Sequence, residues 1–194
     1  MKRSSLDRIV SWVGLSLAAV LVVAGSLLTW AHSFVSNEVK TQLSAQQIYF
    51  PPKGSPATAG SEFAAMRQYA GQQLTTGAQA QAYADHFIAV HLREVAGGQT
   101  YAQLSAKAQA NPTDTKLAGQ VATMFKGETL RGLLLNAYAF GTMATIAGIA
   151  AIAAFIAAAA LLMLSVLGLL HGRRTPGTES VFTAVKTPVP AGVG

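Results

Sequence analysis

GLLLNAYAFGTMATIAGIAAIAAFIAAAALLMLSVLGLL, residues 132–170, runs for 39 positions without a charged side chain or a histidine. About 20 apolar residues suffice for a helix to cross a hydrocarbon layer about 30 Å thick. As one helix the stretch would extend about 58 Å, almost twice that thickness. Two spans would need a turn inside it, and no turn signal divides it. The spacing therefore predicts one helix. Counting back from Arg173 places the span at residues 147–170, with residues 132–146 projecting beyond the bilayer while still largely apolar. Something must cover that projection. Phe34, Val35, Val39 and Leu43, just past the other long apolar run, and the other helices of the same segment are the natural partners.

That other run is IVSWVGLSLAAVLVVAGSLLTWA, residues 9–31. Lys2, Arg3 and Arg8 precede it, and Thr29-Trp30-Ala31 imitates a cleavage site. A signal-peptide core usually has about 7–15 residues, and this one has 23, so it reads as an uncleaved signal-anchor. Trp12 and Trp30 lie about 27 Å apart along a helix, which sets one indole at each membrane interface. Lys and Arg near span ends stay in the cytoplasm. With Arg173 and Arg174 directly after the second span, both termini are expected inside and residues 32–146 outside. The expected organisation is a cytoplasmic N-terminus (1–8), a span (9–31), an extracytoplasmic helical domain (32–146), a span (147–170) and a disordered cytoplasmic tail (171–194). The location follows as the plasma membrane.

Composition agrees. Of 194 residues, 51% are hydrophobic and 11% charged, against about 25% charged in soluble domains. The exported segment holds eight basic and six acidic residues, so much of the net +6 resides at the two ends. The basic residues form no stripe interleaved with aromatics, which argues against a nucleic-acid partner. Without cysteine, the exported part must rely on its own core, and thiol chemistry is excluded.

Within that segment helices are expected throughout, and no strand-like alternation of useful length occurs. The first helix should continue to about Gln47 and stop at YFPPKGSPATAG, residues 49–60, where adjacent prolines forbid it. Ser61 is a candidate N-cap for a helix to about Leu74. A helix from about Ala78 to Ala96 should end at Gly97-Gly98, and a short one at 101–110 at Asn111-Pro112. Thr113, Asp114 or Thr115 would cap the last helix. The second span is rich in alanine and glycine, residues that let helices approach closely in lipid. They would pack on the first span, or offer a second face to another subunit or copy. The tail, TPGTESVFTAVKTPVPAGVG, is Pro- and Thr-rich. Thr175 and Thr187 precede prolines and are conceivable phosphorylation sites, although a plain solvated tail is the simpler reading.

The chemically richest stretch is ADHFIAVHLREV, residues 84–95. On a regular helix His86 and His91 lie about 140° apart, whereas two histidines sharing one metal sit four apart. The surviving combination is His91 with Glu94 and a third ligand such as His32. Core or surface roles are the simpler reading for each. Glu128 and Arg131, three apart, suit an intrahelical pair, with contact to a partner as the other possibility. No nucleophile elbow, phosphate loop or acid–base carboxylate pair appears, and neither span holds an ionisable residue.

QLSAQQIYFPP, QAYADHFIAVHLREV, GGQTYAQLS and FKGETLRGLLLNAYAFG resemble a group of short actinobacterial two-span membrane proteins, from the first span to the second. Members commonly carry the label aromatic ring-opening dioxygenase. The resemblance implies the same two-span architecture. The label would imply iron held by two histidines and a carboxylate, a set these residues do not supply, and we regard it as a misannotation. The sequence thus points to an all-α protein: two transmembrane helices bracketing an extracytoplasmic bundle, its long helices continuing from membrane to head. The expected role is a non-enzymatic accessory subunit of an envelope complex, or a homo-oligomer, with the bilayer as its other partner and no cofactor. The rivals are an exported metal-dependent enzyme and a small-ligand sensor.

Overall fold

The computed structural model describes residues 3–174; of the expected disordered tail, 171–174 instead continue the last helix, and the remainder with Thr175 and Thr187 lies outside the described residues, as does Lys2. Helices dominate: α1 (Arg3–Ala45), α2 (Gly77–Tyr83), α3 (Ala89–Val95), α4 (Tyr101–Ala110) and α5 (Thr115–Arg174). Two 3-10 helices, Pro56–Thr58 and Ser61–Tyr69, and a π-helical turn, Ala84–Ile88, complete the order. Among the described residues there is no strand, only an isolated antiparallel bridge between Tyr49 and Gln73. Two helices, α1 and α5, are long and apolar enough to cross a membrane.

Local chemistry sets the boundaries. Thr76 and Thr100 each open a capping box: the hydroxyl accepts from the amide three residues on, and Gln79 or Gln103 returns the bond to the cap backbone. Helix α2 therefore starts at Gly77, one residue before the expected position. The Gly98 amide reaches back to the Arg93 carbonyl at 2.9 Å, and Gly97 and Gly98 both have positive φ, so α3 ends in the left-handed turn that glycine permits. Of the three candidate caps for α5, Asp114 takes the role, its Oδ1 accepting from the Leu117 amide at 2.9 Å. The α-helix expected from Ser61 to Leu74 is replaced by a 3-10 helix that leaves helical geometry at Ala70. Phe63 and Met66 are buried and Tyr69 packs beside them. That spacing of three aligns on one face at three residues per turn, so the 3-10 winding presents the whole row to the core.

The chain forms two compact units. One is made of the α1 residues before Trp30 and the α5 residues after Gly148. Apart from Gly14, its buried positions recur in sevens: Ser11, Ala18 and Gly25 on α1, and Ala151, Ala158, Ser165 and Gly172 on α5. A seven-residue repeat keeps a left-handed seam in register, and here almost every seam residue is small. A side chain added at Gly14 would strike Ser165, and one at Gly168 would strike Ser11. Ala151, Ala158 and Gly168 of the second run therefore pack on the first, whereas Ala153, Ala157, Ala159 and Ala160 are exposed. The outward faces keep large apolar side chains, among them Val20, Val23, Ile152 and Ile156, more than half exposed.

The other unit spans Trp30–Gly148 and has its own core, built on Leu43, Phe50, Met66, Leu74, Ile88, Leu92, Leu104, Met124 and Leu134. Val39 and Leu43 of α1 and Leu130, Leu134 and Ala137 of α5 belong to it, so α1 does cover part of the apolar 132–146 stretch. The N-terminus of α2 abuts α5 backbone to backbone: a Cβ on Gly77 would lie 3.0 Å from the Ala137 carbonyl oxygen and 3.1 Å from the Tyr138 Cα.

Candidate functional site

The histidine-bearing stretch is not one regular helix. Between α2 and α3 the chain widens into a π turn at Ala84–Ile88, which rotates less per residue than an α-helix. Angles counted at 100° per residue therefore fail beyond Asp85. Asp85 instead faces α5, where its Oδ1 accepts from the Arg131 guanidinium at 3.0 Å. Arg131 also contacts Glu128 at 3.5 Å, the intrahelical pair expected from sequence. The guanidinium thus clamps the π turn to the long helix, with both partners about one-third exposed.

Each histidine of this unit is anchored separately. A carbonyl can only accept, so each ring carries its proton on Nδ1 and donates. His91 donates to the Phe87 carbonyl at 2.7 Å, His86 to that of Glu62 at 3.0 Å and His32 to that of Ala144 at 2.7 Å. His91 ends an aromatic ladder: it lies 4.4 Å from the Phe87 ring and 5.8 Å from Phe63, while Phe87 lies tilted against Tyr83 and Tyr83 meets Phe50 edge-on. His32 lies against Gly148, where a Cβ would approach its Nδ1 to 2.9 Å. Glu94 is exposed. Among the described residues, no three of His, Asp and Glu gather as a metal site would need, so His91, Glu94 and His32 are not assembled into one. Tyr83, half-buried in the ladder, has its phenol pKa raised above the usual 10.0 by desolvation.

Three concavities are of similar size; one, of about 400 Å³, is lined by Lys40, Thr75, Gly77 and Tyr138. Beneath the proline loop, Pro51, Pro52, Lys53, Met66 and Arg67 line a cleft of about 370 Å³. Its guanidinium is engaged structurally, since Arg67 donates to the carbonyls of Gly60 at 2.7 Å and Ala59 at 3.3 Å. Between α1 and α5 runs a groove of about 400 Å³ with Val35, Val39, Leu43, Leu130, Leu134 and Ala137 in its walls and Phe34, Leu133 and Phe140 at its edges. Its polar members are Glu38, Gln42 and Gln46. Gln42 donates to Glu38 at 2.8 Å, so the rim satisfies part of its own polarity. The sequence held a signal for this groove in the apolar residues proposed to cover 132–146. The Asp85–Arg131 clamp had none, since 46 residues separate its partners.

The chain matches no family model, no curated protein and no solved structure.

Proposed function

We propose that this is a two-span integral membrane protein of the cell envelope whose Trp30–Gly148 unit stands outside the cytoplasm and docks onto another membrane subunit or a second copy of the chain. The spans are the apolar runs of α1 and α5, and the orientation follows from Arg3, Arg8, Arg173 and Arg174 at their cytoplasmic ends. The two-span group that the sequence resembles would share this arrangement.

One observation carries the docking role. On α5, Phe125, Leu133, Phe140 and Met143 are 59, 59, 54 and 61% exposed. At 100° per residue they fall within about 80° of one another, over about 27 Å of helix. A compact unit with a closed core does not otherwise leave such a row in water, and exposed apolar patches of this kind mark interaction surfaces. A photoreactive residue at Phe125 or Met143 should crosslink in intact cells to another membrane protein or to a second copy, and the mild-detergent particle should exceed one chain. A strictly monomeric particle with no crosslinked product would remove the proposal.

A further inference from the structure

We infer that the π turn at Ala84–Ile88 is a register device: it holds one residue more than the packing of its helix needs, and so keeps a single face of that helix on α5. Helix α2, the turn and α3 run without a break from Gly77 to Val95. Along them Ala80, Ala84, Ile88 and Leu92, with Ala96 directly after, are buried at intervals of four. On a regular α-helix each step of four advances the row by about 40°, so four steps would wind it about 160° around the axis. The row would then leave the core before its end. The Ala89 amide, however, donates to the Ala84 carbonyl five residues back. A turn closed in that way contains one residue more than an α turn, which takes back about 100° of the winding. A drift of about 60° remains, and one buried face accommodates it.

Contacts with α5 follow that face. Gly77 lies against the backbone of Ala137, Tyr138 and Gly141, and the Leu92 side chain occupies the space that a Cβ on Gly127 would need. Between them Asp85 is held by Arg131 at 3.0 Å. Beyond them the Val95 carbonyl accepts from Gln120 Nε2 at 2.9 Å. The two helices are therefore antiparallel neighbours along nearly all of Gly77–Val95. At 100° per residue these α5 positions fall within about 120° of one another, and their middle lies about 140° from that of Phe125, Leu133, Phe140 and Met143. With the turn in place the shorter helix keeps to one side of α5 and leaves the exposed row bare.

If one residue of the turn is surplus, its removal should leave a regular helix with the same face on α5. Deletion of His86 tests this in the full-length protein in mild detergent, with His86→Ala as the control for the lost bond to the Glu62 carbonyl. The two variants should melt together. Deletion of the exposed Arg93 should lower Tm by about 10 °C or more, because it swings either Ala96 or the run Ile88, Val90 and Leu92 about 100° out of the core. Val95→Cys with Gln120→Cys, in a chain without other cysteines, reads the register directly. A short bismaleimide should join the pair as well in the His86 deletion as in the full-length parent. Melting of the His86 deletion far below His86→Ala, or loss of that crosslink, overturns the inference, since the turn would then be integral to the fold. Equal tolerance of both deletions overturns it too, because the turn would be no special position. Neither readout needs a partner, so a monomeric particle that defeats the docking role leaves this test intact.

Discussion

At residue scale the Asp85–Arg131 contact is the most informative, because it joins chain segments that sequence reasoning keeps apart. Arg131 lies between two carboxylates, yet its Nε is buried without a partner. Its value must come through the terminal nitrogens. With both side chains about one-third exposed, solvent screens the pair, and Asp85→Asn should cost about 0.5–1 kcal/mol of unfolding free energy. Glu128→Gln removes only an i,i+3 helix pair and should cost less than about 0.5 kcal/mol. Denaturant unfolding in detergent measures both, and equal losses would show that Asp85 does not clamp the π turn. The histidines teach the complementary lesson. Their chemistry was visible in ADHFIAVHLREV, but their directions were not, because the wheel angles assumed a regular helix and a π turn interrupts it. His91 and His86 each spend Nδ1 on a carbonyl within reach of its own packing, a pairing that spacing alone cannot foresee.

At the scale of elements, what could be read in advance is what obeys a local rule. Helix α4 matches its expected limits because Thr100 caps it and Asn111-Pro112 closes it. The 3-10 segment was legible only in the spacing of three between Phe63, Met66 and Tyr69, since its composition suits an α-helix as well. The seam of the apolar helices was present as small residues seven apart, and only contact with a partner helix gives that period meaning. Glycines separate the two kinds of information. Gly77 and Gly119 look alike in sequence, yet a Cβ on Gly77 meets α5 backbone at 3.0 Å while one on Gly119 meets nothing within 4 Å. Backbone cannot retreat as a side chain can, so Gly77→Ala should destabilise by about 1–3 kcal/mol. Gly119→Ala sits in the interior of α5 and should stabilise by about 0.5–1 kcal/mol. The pair is read by thermal unfolding in one detergent; the same sign for both would contradict the packing of α2 on α5.

At the scale of the whole molecule everything functional depends on which side of the membrane the Trp30–Gly148 unit occupies, and the chain lends itself to asking. It contains no cysteine, so a single introduced thiol reports its own location without background. Lys53 is exposed in the proline loop, and Leu6, 37% exposed, lies at the start of α1 among the basic residues expected to stay inside. The arginines next to the chain-terminal ends of the two apolar runs resist translocation, whereas a segment as long as 32–146 crosses largely regardless of its charge. Lys53→Cys should therefore react with a membrane-impermeant maleimide on intact cells, and Leu6→Cys only after permeabilisation. The reverse pattern would place the exposed row on α5 in the cytoplasm, where a partner outside the cytoplasm could not reach it. Labelling of both positions on intact cells would mean that the first apolar run does not cross the bilayer. The exposed row on α5 would then need another account, because a unit with a closed core and no membrane beside it would carry Phe125, Leu133, Phe140 and Met143 in water on every side.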